Sequence, residues 1–450
     1  MIPFVVKPVS GLKGDLSLSG DKSIAHRSVI ASVLSRGSTR IENFPSNKDC
    51  LSTIEAFKKL GVKITKSSST VTVKGVGLFG LIKPKGTIPV GESGTTLRLL
   101  LGVLAGQNFR VTLTAGPSLS RRPMLRVAEP LRMMGVEITG RRVVEYGRQD
   151  EYPPIIIRGG NVKPITYKMP VASAQVKSAV ILAALAAKGK SCIIENIRTR
   201  DHTERVLKLF KANIKVCRNT VTIKGSSRLI SPGVITIPGD ISSAAFFMVL
   251  AAITPDTRIR IKGVSLNPLR AGVIKVLKRM GADIKVANCR QYSASYEPAG
   301  DVLVKSSLLK GTVVKKEEIP SLIDELPVLM VAASLAKGRT VFEGVGELRV
   351  KETDRIKSMY ENLKKMGADI RVLSGNAKEA DKVIIQGVKQ LKAARVKSFG
   401  DHRTAMSMVV AGFTATGNTR IDDISCINKS FPGFLSLLDG LMYKSRGRFC

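Results

Sequence analysis

Six short polar stretches in this 450-residue chain each run directly into an apolar segment, and they hold many of its residues suited to anion chemistry. They read GDKSIAHR (20–27), GESGTTLR (91–98), PVASAQVK (170–177), PGDISSAA (238–245), IDELP (323–327) and GDHRTAM (400–406). Each reads as a helix start, with Ser23, Thr95, Ser173, Ser242 and Asp401 as capping types. A helix N-terminus presents N–H groups with no intrahelical partner and a partial positive charge, and both favour an anion. Any one stretch alone reads as an ordinary cap. Six of them, carrying Lys22, Arg27, Arg98, Lys177 and Arg403, read as an anion-binding site. On residue pattern alone, the run RVKETDR (349–355) is a charged helix start with Thr353 or Asp354 as cap. By the same standard, Asp324-Glu325 is the cap of the apolar helix beginning near Pro327.

The elements that must position these residues repeat. Small apolar helices are predicted over 23–34, 95–104, 174–187, 242–253, 326–336 and 404–413. They are apolar nearly all round, which predicts burial. β-Branched strands follow at 39–42, 110–113, 191–195, 258–262, 340–343 and 419–422. A second phrase ends another helix in each period: KKLGVKI, RMMGVEI, KRMGADI and KKMGADI, with a weaker copy in LFKANI. Its central residue is Gly61, Gly135, Lys211, Gly281 and Gly367, and a sixth helix over 434–439 reaches Gly440. Glycine there suits the left-handed residue that ends a helix. The period is about 75 residues, so six units of β-α-β-α-β-β fill the chain. The sixth runs out of sequence, and residues 4–18 are expected to supply its missing strands.

Composition narrows the partners. The chain is 44% hydrophobic, which excludes a disordered protein. Its net charge of +37 admits nucleic acid, anionic membranes and small anionic substrates. Aromatic residues make up only 5%, with no Trp, so base-stacking platforms are poorly supplied. No apolar run approaches the ~20 residues of a membrane span. The chain opens on a strand-like stretch at 3–7 with no leader pattern, and a cytoplasmic location is expected. The six Cys are scattered and read as free thiols, and His26, His202 and His402 are too separated to suggest a metal centre.

Nine phrases in order then resemble the enolpyruvyl transferase family, in its branch acting on shikimate 3-phosphate. They are GDKSIAHR, SGTTLR, SRRPM (120–124), SAQVKSA (173–179), PGDISSAAFF (238–247), DELPVL (324–329), RVKETDR, GDHRTAM and NKSFPGF (428–434). The resemblance implies an α/β fold of two pseudo-symmetric domains, each of three β-α-β-α-β-β units, with the active site in the interdomain cleft. One domain would comprise 1–20 with 239–450, and the other 21–238, with crossovers near 20 and 238. The implied reaction transfers the enolpyruvyl group of phosphoenolpyruvate to the 5-hydroxyl of shikimate 3-phosphate and releases phosphate, through a tetrahedral intermediate. It belongs to the shikimate pathway to chorismate and the aromatic amino acids, and is the target of glyphosate. No metal or organic cofactor, nucleic acid or membrane is implied, and the family suggests a monomer.

By motif position, the resemblance assigns shikimate 3-phosphate to Lys22, Ser23, Arg27, Ser173, Ala174, Gln175, Arg200, Asp324 and Lys351. It assigns phosphoenolpyruvate to Lys22, Gly94, Arg122, Gln175, Arg355, Arg403 and Lys429. Asp324 would take the hydroxyl proton, Glu352 would transfer the proton at the methylene carbon, and Lys22 would assist catalysis. Glu92 stands where the family commonly has Asn, and Ala174 replaces a Ser found in one subgroup. Enzymes acting on UDP-N-acetylglucosamine share the fold, but they carry a Lys-Asn pair where this chain has Lys22-Ser23, and a loop Cys that is missing from 115–122. An RNA-binding or RNA-end-processing protein is the other alternative, favoured by the charge and disfavoured by the lack of an aromatic-basic motif.

Overall fold

A computed structural model describes residues 3–145, 148–226, 228–291, 297–374 and 381–446. The chain divides into two compact units. The N-terminal unit is Ser19–Pro238 with Gln291–Glu297, and the C-terminal unit combines the chain up to Leu18 with Gly239–Arg290 and everything from Pro298 onward. Among the described residues no helix is long and apolar enough to cross a membrane, and no three His, Cys, Asp or Glu side chains gather as a metal cluster. Cys50, Cys192, Cys217, Cys289 and Cys426 are free thiols, and Cys450 lies outside the described residues.

The repeat is visible in the sheets. Thr166–Lys168 pairs parallel with Lys190–Ile194, which pairs antiparallel with Thr220–Lys224, which pairs antiparallel with Ile214–Cys217. Ile88–Pro89, Arg110–Thr114, Arg148–Arg158 and Glu137–Glu145 repeat that order, as do Val313–Val314, Arg339–Glu343, Lys382–Gln386 and Asp369–Leu373. In these three sheets the parallel pair is joined across one apolar helix, a crossover of the length such a pair requires.

Two edge strands are exchanged. Lys13–Ser17 precedes helix Lys22–Leu34 but pairs with Arg258–Ser265 in the C-terminal unit. Val234–Thr236 precedes helix Ile241–Ile253 but pairs with Arg36–Glu42 in the N-terminal unit. Of the expected terminal strands, only Phe4–Val6 joins the sixth repeat, against Thr419–Ile421. The N-terminus therefore completes two sheets, where residues 4–18 were expected to complete one.

The six apolar helices are Lys22–Leu34, Gly94–Leu104, Ala174–Ala184, Ile241–Ile253, Leu326–Ser334 and His402–Gly412. Each is buried over nearly its whole length beyond the first turn. Burying each large apolar side chain contributes roughly 1.5–3 kcal/mol, against about 1 kcal/mol net for a typical hydrogen bond. The apolar bodies therefore decide where the helices lie, and the polar first turns are left for chemistry. At Gly102 a Cβ would stand 2.3 Å from the Ala179 carbonyl oxygen, so glycine permits the close approach of two of these helices.

The recurring phrase ends its helices as expected. Gly61, Gly135, Gly281 and Gly367 have φ of 84°, 86°, 90° and 82°, and Lys211 takes the same left-handed position at 64° without glycine's freedom. Gly440 differs: it lies inside helix Phe434–Arg446, which continues past the expected end at 439.

Candidate active site

The caps fall two residues earlier than the sequence pattern suggested at three of the six starts. Asp21 caps Lys22–Leu34, Ser93 caps Gly94–Leu104 and Asp240 caps Ile241–Ile253. Ser23, Thr95 and Ser242 therefore sit within the first turn and leave the capping to others. Ser173 and Asp401 do cap. Glu325 holds the cap position of Leu326–Ser334 without a side-chain cap bond, whereas Asp354 caps Arg355–Lys365 by accepting from Lys357 N.

In the N-terminal unit three helix starts come together. Arg27 donates through Nη1 to Ser23 O (2.9 Å), through Nε to Thr203 Oγ1 (2.6 Å) and through Nη2 to Ser178 Oγ (2.8 Å). Burial lowers the Arg27 pKa to about 10, an effect that Glu204 opposes, and the group remains a cation near neutrality. Lys22 Nζ donates to Asp49 at 3.0 Å, from helix Lys48–Lys59. His26, between them, is pushed down to about 3 by burial and stays neutral, so it adds no positive charge to the cluster at ordinary pH. Gln175 donates to Thr95 Oγ1 (2.9 Å) and accepts from Arg98 Nη1 (2.8 Å). A Cβ at Gly94 would lie 2.8 Å from Arg98 Nη1 and 3.1 Å from Arg122 Nη1, so both guanidiniums reach the space over this glycine.

Two of the cations counted toward anion binding have structural partners instead. Lys177 is completely buried, 3.1 Å from Glu195 and 2.7 Å from Glu204, and donates to Thr199 O at 3.3 Å. It ties the segment carrying Arg200 to helix Ala174–Ala184, as a buried ammonium must be paired. Arg98 is 4% exposed, held by Gln175 and Pro123 O. Glu92 is committed to loop backbone. Its carboxylate accepts from Ser118 N (3.3 Å) and Leu119 N (2.8 Å), clamping the loop that leads to Arg122. Gly116 makes room, since a Cβ there would meet Glu92 Oε1 at 2.4 Å.

The C-terminal unit gathers charge around Asp324. Arg355 Nη1 is 3.5 Å from its carboxylate, and Arg270 Nη2 and Arg403 Nε are each 3.9 Å away. Arg403 Nη1 also donates to the Asp324 carbonyl at 2.8 Å. Arg355 is buried and bonds to Asp401 (2.9 Å) and Glu352 (2.5 Å). Burial disfavours its charge, but Asp401, Glu352 and Asp324 more than offset this and hold its pKa above the ordinary value. Glu352 keeps 34% of its side chain exposed. Lys351 is pulled down to about 8, first by desolvation and then by Arg355, against the opposing pull of Asp324, Glu347 and Glu352. Lys429 is exposed at the end of the 3-10 turn Ser425–Lys429.

Each set thus assembles three helix starts, cations and polar hydroxyls, and the second adds carboxylates that could exchange protons. Sequence reasoning missed Asp49, Thr203, Arg270 and Glu325 as partners. They lie 27 to 176 residues from the groups they hold, and although Glu325 falls within the DELPVL phrase, no local pattern pairs it with Arg270.

The model of the family EPSP synthase (3-phosphoshikimate 1-carboxyvinyltransferase) matches residues 6–438. The chain is 46% identical over 435 residues to the 3-phosphoshikimate 1-carboxyvinyltransferase of Desulforamulus reducens, covering 96% of this chain and 98% of that one. It is 44% identical over 441 residues to the enzyme of that name from Geobacter sp. strain M21, covering 98% and 99%. The solved EPSP synthase of Acinetobacter baumannii superposes with a TM-score of 0.84 at 40% identity, over 98% of each chain.

Proposed function

The chain belongs to the EPSP synthase family, and from that premise we propose that it transfers the enolpyruvyl group of phosphoenolpyruvate to the 5-hydroxyl of shikimate 3-phosphate. The observation that carries this reading is the pair of cation-rich helix-start clusters, one in each unit, with Asp324 placed among three guanidiniums. Two polyanionic substrates need such cations, and the forked guanidinium suits carboxylate and phosphate.

The reaction proceeds by addition and elimination. The substrate oxygen attacks C2 of phosphoenolpyruvate while C3 gains a proton, forming a tetrahedral phosphate ketal. The C2–O bond to phosphate then breaks, C3 gives up a proton, the double bond re-forms and phosphate departs. Asp324 accepts the hydroxyl proton, and Glu352 delivers and removes the proton at C3. Arg27, Lys22, Ser23, Ser173, Ala174, Gln175, Arg200 and Lys351 hold shikimate 3-phosphate. Lys22, Gly94, Arg122, Gln175, Arg355, Arg403 and Lys429 receive phosphoenolpyruvate, and the cations among them stabilise the charge that collects on the leaving phosphate.

Phosphoenolpyruvate labelled with heavy oxygen at its bridging position tests the bond broken. The expected result is complete transfer of the label to inorganic phosphate, with one carboxyvinyl group added to shikimate 3-phosphate. Label retained in the organic product would mean phosphoryl transfer and would contradict this function.

A further inference from the structure

Arg270 lies outside every motif used above, in the turn before helix Gly272–Arg279, and is 2% exposed. Its Nη1 donates to both oxygens of Glu325, at 2.8 and 2.9 Å, and its Nη2 donates to Ser242 Oγ. Ser242 Oγ in turn donates to Glu325 Oε1 at 2.5 Å and accepts from Arg403 Nη2 at 3.4 Å. Glu325 is completely buried, whereas the adjacent Asp324 side chain is 17% exposed. Two neighbouring carboxylates are therefore sorted. One is sequestered by a buried guanidinium, and the other stays accessible, with its backbone carbonyl held by Arg403.

We propose that Arg270, acting through Glu325 and Ser242, is a positioning residue that fixes the Asp324 carboxylate and the Arg403 guanidinium in their working geometry. The proposal rests on the reading of Asp324 as the proton acceptor. Arg270 anchors the Asp324–Glu325 peptide at the start of helix Leu326–Ser334, and through Ser242 it links the starts of two further helices, Ile241–Ile253 and His402–Gly412. A forked donor is needed, because Glu325 and Ser242 are served by different nitrogens of one rigid plane. Lysine offers a point charge and no such plane.

The test uses four variants of the full chain, with kcat and KM measured for both substrates. Arg270→Lys keeps the charge and loses the fork. Arg270→Gln with Glu325→Gln removes both charges, so neither is left buried alone. In both, kcat is expected to fall about 10- to 100-fold, the scale of a misplaced reacting group, while each KM changes by less than about threefold. Arg270→Lys is expected to retain more activity than the double variant. Ser242→Ala provides the same reading should the double variant not fold, with kcat reduced and KM kept. A folded variant set with kcat within about twofold of the parent would overturn the proposal, as would KM values rising in step with the loss. Asp324→Asn separates the two levels. If it retains turnover, the underlying reading of Asp324 fails. If it abolishes turnover while the Arg270 variants behave like the parent, only the positioning role fails.

Discussion

Lys351 shows how crowding tunes a single residue. Desolvation and Arg355 bring its ammonium down to about 8, although Asp324, Glu347 and Glu352 favour the charge. A phosphate ester is largely a dianion at pH 7 and pairs with the protonated form. Above pH 8 the unliganded protein must take up a proton on binding, so affinity for shikimate 3-phosphate is expected to fall toward about tenfold per pH unit. Below pH 8 this contribution is flat. Calorimetric titration from pH 7 to 9 checks this, and Lys351→Met should bind more weakly at pH 7 and lose that part of the slope. Gly94 makes a second case. A methyl group there would press on the Arg98 and Arg122 guanidiniums, which are side-chain ends that can yield, so the fold should survive. Gly94→Ala is expected to raise KM for phosphoenolpyruvate about tenfold through a displaced Arg122 guanidinium, with an unchanged melting temperature. An unchanged KM would remove Gly94 from the site.

At the scale of elements, the left-handed helix ends allow a direct stability test. Lys211 carries the conformation that glycine occupies in four equivalent positions, and a side chain there costs on the order of 1–2 kcal/mol. Lys211→Gly gains unfolded-state freedom as well, so a net gain of about 1 kcal/mol and a rise of about 2–4 °C in melting temperature are expected for a unit of this size. A lower melting temperature would show that the lysine side chain contributes more than the strain it imposes. These same ends were legible in the sequence because glycine leaves a mark at fixed spacing. Gly440 misled for the same reason: its helix is long enough to pass through it. The caps were misplaced by two residues because Ser23, Thr95 and Ser242 are as good by type as Asp21, Ser93 and Asp240. Only the backbone geometry distinguishes a cap from a first-turn residue. Lys177 and Arg98 read as anion ligands because burial and its carboxylate or amide partners come from other segments.

For the molecule as a whole, the six-part repeat and the α/β class were readable because each period repeats its own hydrophobic pattern. The exchange of Lys13–Ser17 and Val234–Thr236 was not, since an edge strand carries no record of its partner. The net charge of +37 also divides at this scale. Arg27, Arg270, Arg355 and Arg403 are buried in hydrogen-bonded networks within the two clusters, while lysines such as Lys58, Lys357 and Lys382 stand on the surface. The first group is the one the proposed reaction needs, because it must hold two anionic substrates at once. Phosphate release from phosphoenolpyruvate by the purified protein tests this most directly. Release is expected when shikimate 3-phosphate is present, in amounts equal to the carboxyvinyl product, and to be absent when it is omitted. A folded protein that releases no phosphate with both substrates, or releases it equally without shikimate 3-phosphate, would contradict the account.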